Sequence, residues 1–228
     1  MTPRTPHGTA VVDLLGLVAY GELTAFERLA ADAGMSPTLD GKAQLAGMAA
    51  AEFGHYRKVR ARLVELDAEP TEAMAPFRDA VDAFHEHTKP SDWLESLVKA
   101  YIGDALASDF HREAARYLDT ESRQVVEAVL EDMGHAAFVV EQVRAATEAD
   151  PRVAGRLALW GRRIMGEALT QAQQVATRRE ALAALLTGGL DVPDGSGAAA
   201  GDLAEVGKML NRLTEAHGMR MATLGLSS

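Results

Sequence analysis

Carboxylates and histidines recur in this 228-residue chain at a spacing that suits metal binding. Glu52-Phe53-Gly54-His55 and Asp132-Met133-Gly134-His135 both have the form carboxylate-x-x-His and lie 80 residues apart. A single carboxylate precedes each string, Glu22 in the first case and Asp104 in the second, 82 residues apart. On a helix, side chains three positions apart lie on the same face. Since carboxylate and imidazole both bind divalent transition metals, the repeat predicts a pair of metal ions.

Each of these carboxylates falls on the apolar stripe of its helix. Glu22 shares a helical face with Val18 and Leu29, and Glu52 shares one with Met48. An isolated charge on a buried face is costly, so four such carboxylates need a common partner. Two metal ions between the helices would supply that partner.

Two positions near the repeat leave alternatives open. Glu131 shares a helical face with His135, but the match between the two carboxylate-x-x-His strings favours Asp132 as the ligand. His111 lies two turns after Asp104, and we interpret it as a core or rim histidine in preference to one that lines a substrate cavity.

The elements that carry these residues are all predicted to be helices. Apolar residues recur three and four apart almost throughout the chain, and no alternating strand pattern is found. Short connections after the first and third long helices predict two antiparallel hairpins, and a Pro-containing crossover joins them. This connectivity predicts an all-α, ferritin-like four-helix bundle with extra C-terminal helices. The predicted helices span about residues 10–33, 38–66, 74–85, 91–118, 120–147, 150–186 and 202–218.

The chain divides into one large helical unit and three smaller segments. The last helix has an apolar stripe of Leu203, Val206, Leu210 and Leu213, which predicts a homodimer if a partner covers it. The predicted segments are a flexible N-terminus (1–9), the di-metal bundle with its fifth helix (10–187), a Gly- and Pro-containing linker (188–201) and a C-terminal helix with its tail (202–228).

Composition excludes several classes of function. Cys is absent, so disulfides, thiolate metal sites and cysteine nucleophiles are excluded. The net charge of −10 argues against a protein that coats nucleic acid, because phosphates would repel it. The sequence shows no signal peptide and no uninterrupted apolar run of membrane-spanning length, so a cytoplasmic protein without a membrane partner is expected.

The repeated motif and its surroundings resemble a known family. The strings Ala19-Tyr20-Gly21-Glu22-Leu23, Ser91-Asp92-Trp93-Leu94 and Gly134-His135 are similar to those of ferritin-like di-metal carboxylate proteins. Within that superfamily, they resemble the family akin to the tRNA-(2-methylthio-isopentenyladenosine) hydroxylase. The resemblance covers about residues 11–186.

The resemblance implies a non-haem di-iron protein that activates O2, most concretely a hydroxylase or monooxygenase. The cofactor would be two Fe ions or a Mn/Fe pair, and an external electron donor would be needed. The family's ligand set has four Glu, whereas two positions here are Asp. The implied ligands, which would also form the catalytic centre, are Glu22, Glu52, His55, Asp104, Asp132 and His135.

Other functions remain open from the sequence. A ferritin-like protein could oxidise iron or scavenge peroxide without an organic substrate, and a metal-free bundle could act as a binding module. The fifth helix carries six Arg against two Glu between Pro151 and Thr187, and Arg156, Arg162 and Arg163 could form a track for tRNA. Because the rest of the chain is strongly acidic, the sequence favours a small molecule or metal-only chemistry over tRNA.

Overall fold

The computed structural model describes residues 4–129, 135–186 and 198–226, with the backbone alone at 135 and 198–206. Within these ranges every long regular element is an α-helix and no strand occurs. The helices are α1 (Pro6–Asp32), α2 (Leu39–Glu65), α3 (Pro70–Met74), α4 (Arg78–His87), α5 (Trp93–Ala115), α6 (Thr120–Val129), α7 (His135–Ala149), α8 (Pro151–Arg178), α9 (Glu180–Leu186) and α10 (Ala198–Thr223).

Side-chain caps set the starts of the long helices. The Thr5 hydroxyl accepts a hydrogen bond from a backbone N–H of the first turn of α1, and Pro6 occupies that turn. The helix therefore begins four residues before the predicted start at Ala10, so the segment expected to be flexible is partly helical. Asp92 and Asp150 cap α5 and α8.

Two predicted helices are divided, and a third is described in two parts. The crossover helix consists of α3 and α4 with a short 3-10 turn between them. The predicted fourth helix is described as α6 and α7, and residues 130–134 between them lie outside the described ranges. The predicted fifth helix is interrupted at Arg179, whose guanidinium forms an ion pair with Asp13 of α1. This contact between distant segments explains a break that helical periodicity does not show.

The arrangement confirms the all-α four-helix bundle. Helices α1 and α2 pack against each other along their length, and α5 packs against α6 and α7. The crossover that contains α3 and α4 joins these two hairpins. Helix α8 packs on α4 and α5, while α9 lies against α1 and α10 against α5.

Two apolar clusters fill the bundle and leave a polar layer between them. The first cluster includes Val18 of α1 and Val59 of α2, and the second includes Leu29 of α1 and Met48 of α2. The segments between these positions carry Glu22 on α1 and the carboxylate-x-x-His string on α2. The predicted metal ligands of the first hairpin therefore lie between the two apolar clusters.

Arg62 joins the two hairpins at one end of the bundle. Its buried guanidinium donates to the hydroxyl of Ser122 over 3.1 Å. It also forms ion pairs with Glu65, Asp119 and Glu121 at 3.1, 3.1 and 2.7 Å. A buried charge with this many partners is satisfied, and it fixes the position of α2 relative to the start of α6.

The C-terminal helix packs on the chain's own bundle. Arg220 forms two hydrogen bonds with Asp109 of α5, at 2.7 and 2.9 Å. The sequence predicted that this helix ends at Gly218, but it continues to Thr223 and buries Met221. The prediction missed this end because the most buried residues of the segment lie after the glycine.

The predicted dimer stripe is only partly described. Leu210 and Leu213 are half-buried, whereas the side chains of Leu203 and Val206 lie outside the described ones. The homodimer therefore stays a prediction. The predicted linker also falls largely on residues 187–197, which the structure does not describe.

One helical segment, Pro6–Met35, is long and apolar enough to cross a membrane by length and composition. However, 61% of its most apolar window is buried inside the bundle. Burial of this kind is typical of a core helix in a soluble protein, and the cytoplasmic location stays a prediction.

Candidate metal centre

The first hairpin brings three of the predicted ligands together. Glu22 of α1 is 6% exposed and faces Glu52 and His55 of α2. One carboxylate oxygen from each Glu and one ring nitrogen of the His all lie within 4.8 Å of one another. The His55 Nδ1 is 3.4 Å from Glu52 Oε2 and 3.5 Å from Glu22 Oε2. Donor atoms at these separations can share one cation.

The donor set fits a divalent metal ion. Among the described residues, the buried Oε2 of Glu22 has no hydrogen-bond partner and lies 3.5 Å from the Nδ1 of His55. An unsatisfied buried carboxylate oxygen is unfavourable. A divalent cation would satisfy this oxygen and would neutralise the second carboxylate, and the imidazole would add a nitrogen ligand.

The pKa values of the three groups depend on one another when no cation is bound. Burial, with a further contribution from Glu52, raises the pKa of Glu22 well above its usual value. Burial also acts to raise the pKa of Glu52, but its contacts with Glu22 and His55 outweigh this effect and hold it below its usual value. The carboxylates of Glu22 and Glu52 raise the pKa of His55 to about 9. These shifts favour proton binding at Glu22 and His55, and a bound cation would displace such protons.

The structure describes less of the second half of the predicted ligand set. Asp104 of α5 is exposed and does not belong to the group of three ligand atoms. Asp132 and the alternative ligand Glu131 lie outside the described residues, as does the side chain of His135. The second metal position therefore stays a prediction.

His111 is the α5 residue that lies near the first-hairpin ligands. It is 6% exposed, and the charges of Glu52 and His55 act on its ring. Burial lowers the pKa of His111 to about 4, so the imidazole is neutral. We interpreted this histidine from the sequence as a core or rim residue. Its place on the same helical face as Asp104 was the signal that it belongs to the polar layer.

Aromatic side chains lie next to the ligands on the hairpin. The rings of Phe26 and Phe53 have centroids 5.1 Å apart, and the Tyr56 ring lies 5.6 Å from that of Phe53. We call these three residues the aromatic row. Tyr20, which belongs to the family-like string, donates its hydroxyl to Asp82 of α4 over 2.7 Å and so binds the crossover.

Comparisons with known proteins agree with the fold. A family model described as a ferritin-like domain of actinomycetes matches residues 6–189. The chain belongs to this ferritin-like family. Its fold is similar to that of a solved structure, "Protein 19 with aldehyde deformylating oxidase activity from Synechococcus". The TM-score is 0.65 at 18% identity, over 94% of this chain and 92% of the other.

At that identity the structural likeness shows the fold alone. A search of curated proteins finds no significant match. Membership of the ferritin-like family and the predicted bundle are therefore confirmed. The closer relationship to tRNA hydroxylases stays a prediction.

Proposed function

We propose that this protein is a non-haem di-metal oxidoreductase that uses O2 to hydroxylate a small organic substrate. The observation that carries the proposal is the buried group of Glu22, Glu52 and His55, with its unsatisfied carboxylate oxygen, between two apolar clusters. For packing alone, Leu or Met would serve better than acidic groups at these buried positions.

The chain's residues have distinct roles in this proposal. Two Fe ions, or a Mn/Fe pair, would supply the reaction with O2, and an external donor would supply electrons. Glu22, Glu52 and His55 would hold metal from the first hairpin, and Glu52 is our candidate for a ligand shared by both ions. The remaining ligands of the second ion would be Asp104, Asp132 and His135.

The surroundings of the site favour an apolar substrate. The two apolar clusters exclude water from above and below the polar layer, which strengthens electrostatic interactions within it. Phe53 and Tyr56 of the aromatic row directly follow Glu52 and His55 in α2, and Phe53 is exposed. An apolar substrate could contact these rings on the hairpin that carries the ligands.

The basic helix gives limited support for tRNA as the substrate. Arg156 of the predicted phosphate track forms ion pairs with Asp92 and Glu95. Arg162 and Arg163 are exposed and remain as candidates for phosphate contacts. The chain also has 33 acidic against 23 basic residues. We therefore propose a small molecule as the substrate, and salt-dependent tRNA binding by the iron-loaded protein would contradict this part of the proposal.

The test is isotopic. The protein is loaded with Fe(II), supplied with a chemical reductant and ¹⁸O2, and incubated with a panel of apolar small molecules. We expect ¹⁸O in a hydroxylated product, and we expect none with the variant Glu52→Gln, which keeps the size of the side chain but removes its charge. Continued uptake and oxidation of many irons per chain, with no labelled product, would instead support an iron-oxidising protein.

A further inference from the structure

Helix α8 contributes a basic surface to an otherwise acidic protein. Between Pro151 and Thr187 the chain has six Arg and two Glu, a net charge of +4, whereas the whole chain has −10. The rest of the chain therefore carries −14. An acidic partner is attracted to a local basic surface and repelled by the acidic remainder, so the charge distribution directs such a partner to α8.

The exposed side of α8 combines positive charge with an apolar side chain. Counted from Arg152, the other three residues of this side come seven, ten and eleven positions later, so all four project from one side of the helix. The apolar member is 64% exposed. We call these four exposed residues the α8 face: Arg152, Leu159, Arg162 and Arg163.

The three Arg of the α8 face are not neutralised by the described chain. Within the described ranges none of them forms an ion pair, and the guanidinium of Arg163 lies 5.9 Å from the ring centre of Trp160. Arg156 of the same helix differs, because it pairs with Asp92 and Glu95. The α8 face therefore presents three uncompensated positive charges around an exposed leucine.

Two glycines beside the α8 face leave room for another chain. A Cβ at Gly155 or Gly166 would meet no described atom within 4 Å outside its own helix and its chain neighbours. Glycine inside a helix costs about 1 kcal/mol relative to alanine. On the opposite side of α8, a Cβ at Gly161 would lie 2.5 Å from the sulfur of Met221, so the chain's own packing explains that glycine. The two exposed glycines are instead explained by the close approach of a partner.

We propose that the α8 face docks an acidic one-electron carrier protein that supplies electrons to the metal centre. This inference rests on the proposed function, because a hydroxylase that uses O2 needs an external donor. Insertion of one oxygen atom into a C–H bond consumes O2, two electrons and two protons, and it releases one water. Two reduced carriers therefore each give one electron per turnover and leave in the oxidised form.

Charge and surface chemistry favour an acidic protein over other occupants. A second copy that docked through the same face would bring two basic surfaces into contact, which like charges oppose. Nucleic-acid sites with steep salt dependence make about 6–10 phosphate contacts, more than three Arg supply. Protein interfaces combine an apolar centre with a polar rim and are enriched in Arg, as the α8 face is.

Helix α8 also lies on the helix that carries a predicted metal ligand. Trp160 follows Leu159 in sequence, is buried, and donates its indole N–H to the backbone oxygen of Glu95 in α5 over 2.9 Å. The two helices pack against each other. Because α5 also carries the predicted ligand Asp104, a carrier on the α8 face would contact the helix next to the one that carries this ligand.

The test measures binding of a defined acidic carrier to the full chain. The probe is oxidised plant-type [2Fe–2S] ferredoxin, which is a small acidic one-electron carrier, and titration calorimetry measures the affinity. We expect a Kd on the order of micromolar at about 20 mM salt, and binding at least about tenfold weaker at about 200 mM, because salt screens contacts between exposed charges. Absence of binding at the lower salt concentration would overturn the proposal.

Matched charge reversals distinguish the α8 face from general attraction. Arg162→Glu and Arg178→Glu change the net charge equally, but Arg178 lies in the last turn of α8, away from the face. The change at Arg162 should weaken ferredoxin binding at least about tenfold, and the change at Arg178 by less than about twofold. Equal weakening by both would overturn the proposal, because non-specific attraction would then explain the binding.

A third variant tests the close approach of the partner. Gly155→Gln adds a side chain where the described chain leaves open space, and Gln is the better helix former, so the fold should be retained. We expect ferredoxin binding to weaken about fivefold while the midpoint of urea unfolding stays the same or rises. Unchanged binding would contradict close contact at this face.

Other occupants give different results. If tRNA binds and Arg162→Glu weakens it, while ferredoxin does not bind, the face belongs to RNA and the proposal is overturned. A dimer that the same variant dissociates, again without ferredoxin binding, would assign the face to a second copy.

The binding measurements are independent of the test of the proposed function. They need no turnover, whereas the ¹⁸O2 experiment uses a chemical reductant and no carrier protein. Labelled product without ferredoxin binding would therefore overturn the docking proposal alone. Ferredoxin binding without labelled product would contradict the proposed function and leave the α8 face as a docking surface for an acidic protein.

Discussion

Among the described residues, the two hairpins of the bundle bring different groups to the polar layer. In the first hairpin, Glu22, Glu52 and His55 bring three ligand atoms within 4.8 Å of one another. In the second, Asp104 is exposed, and His111 is the α5 residue near the cluster. Asp is one methylene shorter than Glu, so an aspartate at a related position extends less far into the layer. For the pair Glu22 and Asp104, which the structure does describe, the repeat in sequence therefore does not give equal burial.

The largest expected effect comes from the first hairpin. Glu52→Ala should reduce the metal content from about two ions per chain to one or none, because Glu52 is the candidate bridge between both ions. The measurement is elemental analysis of the purified, metal-loaded protein. Glu131→Ala is the matched control and should leave the content unchanged. Wild-type metal content in the Glu52 variant would contradict the assignment, and loss of metal in the control would transfer the ligand role from Asp132 to Glu131.

The second prediction concerns the packing that holds the first hairpin in place. A Cβ at Gly16 of α1 would lie 2.2 Å from the carbonyl oxygen of Ala73 in α3. Gly16→Ala should therefore destabilise the protein by about 2–4 kcal/mol, measured by urea unfolding, and should weaken metal binding by the first hairpin.

Gly54 provides the control for this substitution. No described atom outside its own helix and its neighbours lies within 4 Å of a Cβ at Gly54. Gly54→Ala should stabilise α2 by about 0.5–1 kcal/mol because alanine is the better helix former. Equal destabilisation by Gly16→Ala and Gly54→Ala would show that the close approach of α1 to the crossover does not cause the loss of stability.

The third prediction tests the contribution of α5 to the polar layer. The pKa of His111 falls from 6.5 to about 4 on burial, so the folded metal-free protein binds this proton less well than the unfolded chain does. The linked stability is fully present above about pH 6.5 and is lost as the pH falls toward 4, by about 3 kcal/mol. His111→Gln should remove this part of the pH dependence in urea unfolding of the metal-free protein. An unchanged slope between pH 6.5 and 4 would indicate that His111 is not buried as a neutral ring.

The smallest expected effect would make the two hairpins more alike. Asp104→Glu restores the side-chain length found at Glu22 and should strengthen binding of the second metal ion about threefold. Competition titration with a chelating dye measures this change, and Asp109→Glu on the same helix is a control outside the ligand set. Weaker binding by the Asp104 variant would show that the shorter side chain is required.

Periodicity and spacing predicted the helices, the hairpins and the Glu22–Glu52–His55 group, because each depends on local geometry or on one short connection. The break at Arg179 depends on an ion pair with Asp13, and no local signal predicts it. The helical repeat predicts which face of a helix a residue lies on, but not how completely neighbouring helices bury that face. Asp104 lies on the predicted apolar stripe of its helix and is nevertheless exposed.

The central claim is that the polar layer binds a pair of metal ions. Anaerobic titration of the metal-free chain with Fe(II), followed by exposure to O2 and Mössbauer spectroscopy, tests it most directly. We predict saturation at two Fe(II) per chain and, after O2, a spectrum of two magnetically coupled ferric ions. Failure to bind Fe(II), or a spectrum of isolated ferric ions only, would contradict the claim.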